Sequence, residues 1–211
     1  MELLNITNGE YFNKYFLSKF GGTAVPFCEV MMDGKAVTDI FSQQFVTLRA
    51  KAVGATEDVY REKMYVQDAL NGKEYDAICL WFGKDTFCQM NLLTVFAYLE
   101  QIEYRGELKL NYIDDETFEV VEADIDVKLG IYRKMYEDIL ILKRIPADVG
   151  VLSKKAVDLY FDYHSDEGAL VKFVKANAQK DKRELIRLLL EQSKDYGLSD
   201  LQAEKLVNSV L

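Results

Sequence analysis

The sequence predicts an α/β protein with a Rossmann-like, mostly parallel sheet flanked by helices, followed by an all-helical C-terminal part. Three observations carry this. Through the first half, short apolar runs alternate with segments of helical periodicity. The run from Tyr75 to Phe82 is almost continuously apolar, as expected of a strand covered on both faces. Beyond Ile125 the pattern is helical nearly to the end. At 211 residues and 49% hydrophobic, the chain can bury a sizeable core.

Leu3 to Thr7 reads as a strand closed by Asn8-Gly9, and Phe12, Phe16 and Phe20 then recur at helical spacing up to Gly21-Gly22. Ala24 to Met31 is a second strand with Glu29 near its C-terminal end. Pro26 lacks a ladder donor and favours an edge there. From Asp33-Gly34 to Gly54 the spacing of Val37, Phe41, Phe45, Leu48 and Ala52 predicts a helix, and Thr56 caps another that stops at Asn71-Gly72. After the Tyr75 to Phe82 strand, Phe87 to Glu103 is apolar around most of its circumference, which predicts a buried helix. Leu108, Leu110 and Tyr112 alternate with Lys109 and Asn111 as a further strand. Asp114 to Asp126 holds seven acids and no base; it reads as a solvated loop with a short extended piece at Phe118 to Val121. Helices are then expected near Val127 to Lys143, Lys154 to Tyr163, Glu167 to Ala178 and Lys182 to Lys194, with a last one opened by the Ser199/Gln202 capping box. The division falls at about Asp126, giving an α/β domain over 1–126 and a helical part over 127–211.

Charge and composition exclude several functions. With 26 basic against 35 acidic residues the formal charge is −9, which opposes the counterion release that drives most nucleic-acid binding. No apolar run is long enough to span a bilayer and the N-terminus has no signal-peptide pattern, so the expected location is cytoplasmic. Three cysteines without a CxxC pair indicate reduced thiols, not a disulfide framework or zinc ribbon. The last two helices outline a helix-turn-helix, but Lys180 to Leu211 balances six bases with six acids, which suits packing or protein contact better than DNA. Leu201, Leu206, Val207 and Val210 there offer a surface for a homodimer.

If the three strands ending at Asn8, Glu29 and Phe82 run parallel, those ends share one sheet edge, the place where ligands bind in such folds. The candidate ligand-binding residues are therefore Asn8, Gly9, Glu10, Glu29, Trp81, Lys84, Asp85, Cys88 and Gln89. They supply amide donors and acceptors, two carboxylates, and helix-start amides with Lys84 close by. This chemistry suits a small polar molecule, a nucleoside or nucleotide among the candidates, although no G-x-G-x-x-G or Walker sequence is present. Thr86 and Gln89 also fit a capping box, which explains the same polar cluster as a helix start, and Trp81 alone is the more ordinary core residue. Cys88 sits where a helix dipole lowers a thiol pKa, but the single histidine, His164, lies in the helical part, and a small core residue is the simpler reading. No metal-ligand set and no cofactor is indicated, and whether there is catalysis stays open.

Three blocks, LNITNGEYF (Leu4 to Phe12), VPFCEVMMDG (Val25 to Gly34) and LWFGKDTFCQMNLL (Leu80 to Leu93), resemble the bacterial family called domain of unknown function 1835. Asn8, Gly9, Pro26, Trp81, Phe82, Asp85 and Gln89 match its pattern; Glu10, Phe27 and Cys88 depart from it. The resemblance covers the first half well and implies an α/β fold without implying a reaction, since the family has no established activity. The expected function is binding of a small polar ligand at the C-terminal edge of the sheet. The alternative is a non-enzymatic regulatory or adaptor role through the helical part.

Overall fold

In a computed structural model, which describes residues 2–211, the chain runs through β1 (Leu3–Asn8), α1 (Glu10–Phe20), β2 (Ala24–Phe27), α2 (Gln43–Val53), α3 (Glu57–Arg61), α4 (Tyr65–Leu70), β3 (Ala77–Phe82) and α5 (Thr86–Gln101). It continues through β4 (Glu107–Ile113), β5 (Val120–Asp126), α6 (Tyr132–Tyr136) with a π-helical turn at Glu137–Ile141, α7 (Lys154–Tyr163), α8 (Ala169–Ala176), α9 (Lys182–Gln192) and α10 (Asp200–Val210). The sheet order is β2-β1-β3-β4-β5, with β1 to β4 parallel and β5 antiparallel to β4. The protein is thus α/β, with a mostly parallel sheet flanked by helices and further helices in its C-terminal part.

β2 is an edge strand, which is why Pro26 is tolerated: opposite Thr7 it needs no outer ladder bond. β1 and β3 are central, and Leu4, Ile6, Ile78, Leu80 and Phe82 are fully buried. On one side, α1 packs Phe12 and Phe16 with Ile113 and Trp81. On the other side lies α5, covered in turn by α6 and α7, so every residue from Thr86 to Leu99 is buried except the half-buried Phe87. That double covering is the reason its sequence is apolar all round. One continuous cluster of buried apolar side chains runs from Leu4 through α5 to Val207, so residues on both sides of Asp126 share it. Of the four C-terminal apolar residues, Val207 is buried in that cluster, Leu206 and Val210 pack against it, and Leu201 is exposed. Among the described residues no helix is long and apolar enough to cross a membrane.

The helix expected from Thr56 to Asn71-Gly72 is split into α3 and α4, the strand expected over Ala24 to Met31 ends at Phe27, and the helix expected from Val127 starts at Tyr132; two further elements differ more deeply from the sequence expectation. The helix expected from Asp33-Gly34 begins only at Gln43, where Ser42 accepts from the Phe45 N–H. The preceding chain is held open by side chains from elsewhere. Arg49 Nη1 takes the Asp33 carbonyl at 2.5 Å, Gln101 bonds both the N–H and the C=O of Ile40, and Phe41 adopts a positive φ. The buried face of α2 is consequently Phe45, Val46, Arg49 and Ala50, not the stripe through Leu48 and Ala52. The second difference is β5, which forms within the acidic run expected to be mostly loop. As an edge strand it stays exposed, Glu122 and Asp126 pairing with Lys84 and Lys109, and such charges keep an edge from pairing with other chains.

Candidate functional site

β1 leads to β2 on one side, and the chain then crosses back to β3 on the other, so the order reverses at β1. In doubly wound sheets that reversal opens a crevice beyond the strand C-termini. Asn8 and Gly9 end β1 there, Cys28 and Glu29 follow β2, and Gly83 to Asp85 follow β3. Gly9 takes a positive φ of 82° to turn the chain into α1 while its N–H donates to the Phe27 carbonyl at 3.0 Å.

A groove of about 510 Å³ lies at the β1/β2 part of this edge. Asn8, Gly9 and Glu10 form one wall, Glu29 is at its lining, and Val53, Val59, Tyr60 and Lys63 of the α2 to α3 region close it. Glu29 is 5% exposed. Its Oε2 accepts from Arg49 Nε at 3.0 Å and from its neighbour Val30 N at 3.1 Å, while Oε1, among the described residues, has no hydrogen-bond partner. Burial raises the Glu29 pKa, with the Arg49 guanidinium pulling the other way. Arg49 is itself fully buried and also holds the carbonyls of Asp33 and Val30, so it fixes the loop that carries Glu29.

Asn91, on the buried face of α5, is the second organiser. Its Nδ2 donates to Asn8 Oδ1 at 3.0 Å and to the Glu29 carbonyl at 2.7 Å, and its Oδ1 accepts from Met31 N at 3.0 Å. Asn8 in turn donates to Cys88 Sγ at 2.9 Å. One amide therefore sets the β1 end and the β2 loop against the same helix.

Beside the groove, Asp85, Cys88 and Asp115 bring their side-chain donor atoms within 4.8 Å of one another. Asp85, not Thr86, is the N-cap of α5, accepting from Cys88 N at 2.9 Å. Thr86 points its hydroxyl at the carbonyls of Ala156 and Asp195 instead. Loss of water around the carboxyl, and then the adjoining Asp85, push Asp115 up to about 8, although much of the residue stays exposed. Room for the two carboxyls comes from two glycines: a Cβ on Gly83 would overlap Asp115, and one on Gly197 would overlap Asp85. Cys88 is buried, and burial together with Asp85 and Asp115 raises its pKa well above the usual thiol value. The helix-start activation considered from the sequence is outweighed. The three residues form the one His/Cys/Asp/Glu group within reach of a common cation among the described residues, and Asp85 and Cys88 are already committed to hydrogen bonds.

Of the residues singled out in the sequence, Asn8, Gly9, Glu10 and Glu29 line the groove, and Asp85 and Cys88 adjoin it through Asn8. Glu10 is ion-paired with Lys63 at the rim, a hydrogen bond that lowers its pKa. Gln89 is structural: Nε2 donates to the Gly83 carbonyl at 2.7 Å and Oε1 accepts from Ser153 N at 2.8 Å, tying the β3 end to the helical part. Trp81 lies on the α1 side, stacked near Phe20 and donating to Asn5 Oδ1 at 3.0 Å. Lys84 pairs with Glu122 at 2.7 Å and sits over the Tyr112 ring, at a different groove. His164 Nε2 meets the Met32 carbonyl and is not a partner of Cys88. Arg49, Asn91, Asp115 and Lys63 went unread. The available signals were an arginine four residues after Phe45 on an apolar helix face and a lone asparagine inside the apolar α5.

No protein-family model, curated protein or solved structure matches the chain. Fold and groove together define an α/β protein with a groove beyond the C-terminal ends of β1 and β2, one strand aside from the β1/β3 reversal of its strand order.

Proposed function

We propose that the protein binds a small molecule in the groove at the C-terminal edge of β1 and β2, using Glu29 as the polar anchor. The observation that carries this reading is the free Oε1 of Glu29. A carboxylate oxygen buried without a donor is costly, and natural interiors rarely keep one without a use. Oε2 takes the Arg49 guanidinium and the Val30 N–H, which leaves Oε1, itself closed to solvent, as the acceptor that a ligand hydroxyl or N–H entering past the groove lining would meet. The groove is otherwise mostly apolar, the usual composition of a small-molecule site. The three sequence blocks that resemble domain of unknown function 1835 each span the C-terminal end of a strand, β1, β2 or β3, at this side of the sheet, and membership of that family is part of the same proposal.

A fragment mixture titrated into the full chain and followed by amide NMR shifts tests this. Shifts are expected to cluster on residues 8 to 10, 27 to 30 and 53 to 63, and Val59→Trp, at an exposed rim position, should suppress them without unfolding the protein. Shifts centred elsewhere, or unaffected by the tryptophan, count against the groove.

A further inference from the structure

We infer that the ligand class of this groove is an unphosphorylated ribonucleoside, held through its ribose hydroxyls by Glu29; the inference rests on the groove reading above. Glu29 stands twenty residues after Gly9 and just beyond the end of β2, the strand next to β1. In the dinucleotide-binding doubly wound folds, whose G-x-G-x-x-G turn this chain lacks, an acid at that spacing and place accepts ribose hydroxyls. Here the local chemistry selects the same donor type. Arg49 already neutralises the Glu29 carboxylate from behind, so a cationic ligand gains little, whereas neutral hydroxyls gain a charged acceptor in Oε1.

The rest of the groove fits the base. Val53 and Val59, 43% and 51% exposed, are large apolar side chains left at the rim, and Ala55, Tyr60 and Phe87 continue the surface. A flat heteroaromatic ring covers such side chains and keeps its polar edge in water.

A phosphate is disfavoured at the same edge. The β1 to α1 turn has a single glycine, Gly9, and α1 opens on Glu10, whose carboxylate occupies the first turn where a phosphate would seat. Lys63, the cation lining the groove, is spent on Glu10.

The test titrates adenosine, guanosine, cytidine and uridine into the full chain, followed by the same amide shifts, and then the 2′,3′-dideoxy counterpart and the 5′-monophosphate of whichever binds. At least one ribonucleoside should move the groove amides. Its dideoxy form should lose about tenfold or more in affinity, since a buried charged acceptor is left unmet, and its monophosphate should bind no more tightly. Glu29→Gln should weaken the ribonucleoside and leave the dideoxy form unchanged; because that variant disturbs the Arg49 pair, the ligand-side comparison carries the decision. Equal affinity of the dideoxy form, or tighter binding of the monophosphate, overturns the inference. If no ribonucleoside binds while the fragment mixture still reports the groove, this inference fails and the groove reading stands; if neither registers, both fall.

Discussion

Arg49, without solvent exposure, pairs with only one carboxylate oxygen of Glu29, and the second oxygen faces no donor among the described residues. A buried ion pair of this kind is poor evidence of stabilisation, because desolvating both charges offsets their attraction. Breaking it from one side is another matter. Arg49→Met leaves Glu29 as an uncompensated buried acid and releases the carbonyls of Val30 and Asp33. Urea unfolding should show a loss of about 3–5 kcal/mol. Arg49→Met combined with Glu29→Leu should recover a large part of it. A double variant as unstable as Arg49→Met would mean that the arginine acts through the loop carbonyls alone.

The paired carboxyls predict how stability varies with pH. Asp115 has a folded pKa of about 8 against an ordinary 3.8, so between those values the folded state binds more protons than the unfolded one. Its contribution is therefore fully present below about pH 4 and is lost as pH rises to 8. His164, lowered by burial, acts with the opposite sign below its ordinary 6.5, so total stability is a mixed curve and the variant difference isolates the aspartate. Asp115→Asn should raise Tm at pH 8.5 by about 2–4 °C, equivalent to about 1 kcal/mol for a residue that solvent still reaches. At pH 5 the difference should shrink or reverse. Calorimetry at the two pH values decides it; an equal effect at both would show that the Asp115 carboxyl is not raised in the folded protein.

Gly83 and Asp115 give a steric prediction independent of charge. A Cβ on Gly83 meets the Asp115 carboxyl, so Gly83→Ala should cost about 1–3 kcal/mol in chemical denaturation. In an Asp115→Ala background the same change should cost less than about 1 kcal/mol, because the obstructing atoms are gone. Additive costs would place the glycine's requirement in its backbone and not in room for the carboxyl.

How far the sequence could be read follows from what each signal depends on. β1, β3, α5 and α7 were legible because each is a long run whose periodicity reports its own burial; α7 was expected and observed over the same residues. Pro26 marked the edge strand, and Ser199/Gln202 marked the α10 cap, both through local chemistry. The chain before α2 misled because its conformation is set by Arg49 and Gln101, which reach it from elsewhere in the sequence. Asp85 and Gln89 looked like one site. Which of them caps α5 against Gly197 and which holds Ser153 depends on the helical part packing against α5, and no local pattern carries that. Asp115 was hidden by its six acidic neighbours in the run, since composition does not say which carboxyl turns inward.

The last prediction concerns α5 and its coverings. Phe96 sits 4.4 Å, ring to ring, from Tyr132, and Gln89 and Thr86 both place polar groups on the helical part. A chain ending at residue 126 would expose the α6- and α7-facing surface of a helix that is apolar over most of its circumference, and it would take the Ser153 N–H from the Gln89 side-chain oxygen, leaving it the Tyr112 hydroxyl at 3.4 Å. Exposed apolar area of this kind favours association over a folded monomer. The truncated chain should therefore lack dispersed amide NMR signals or aggregate, while full-length Phe96→Ala, which only opens a cavity, should remain folded and lose about 3–5 kcal/mol in urea. A well-dispersed spectrum from residues 1–126 would show that the α/β part carries its own core, and that the cluster continuing to Val207 is a docking contact between two folding units.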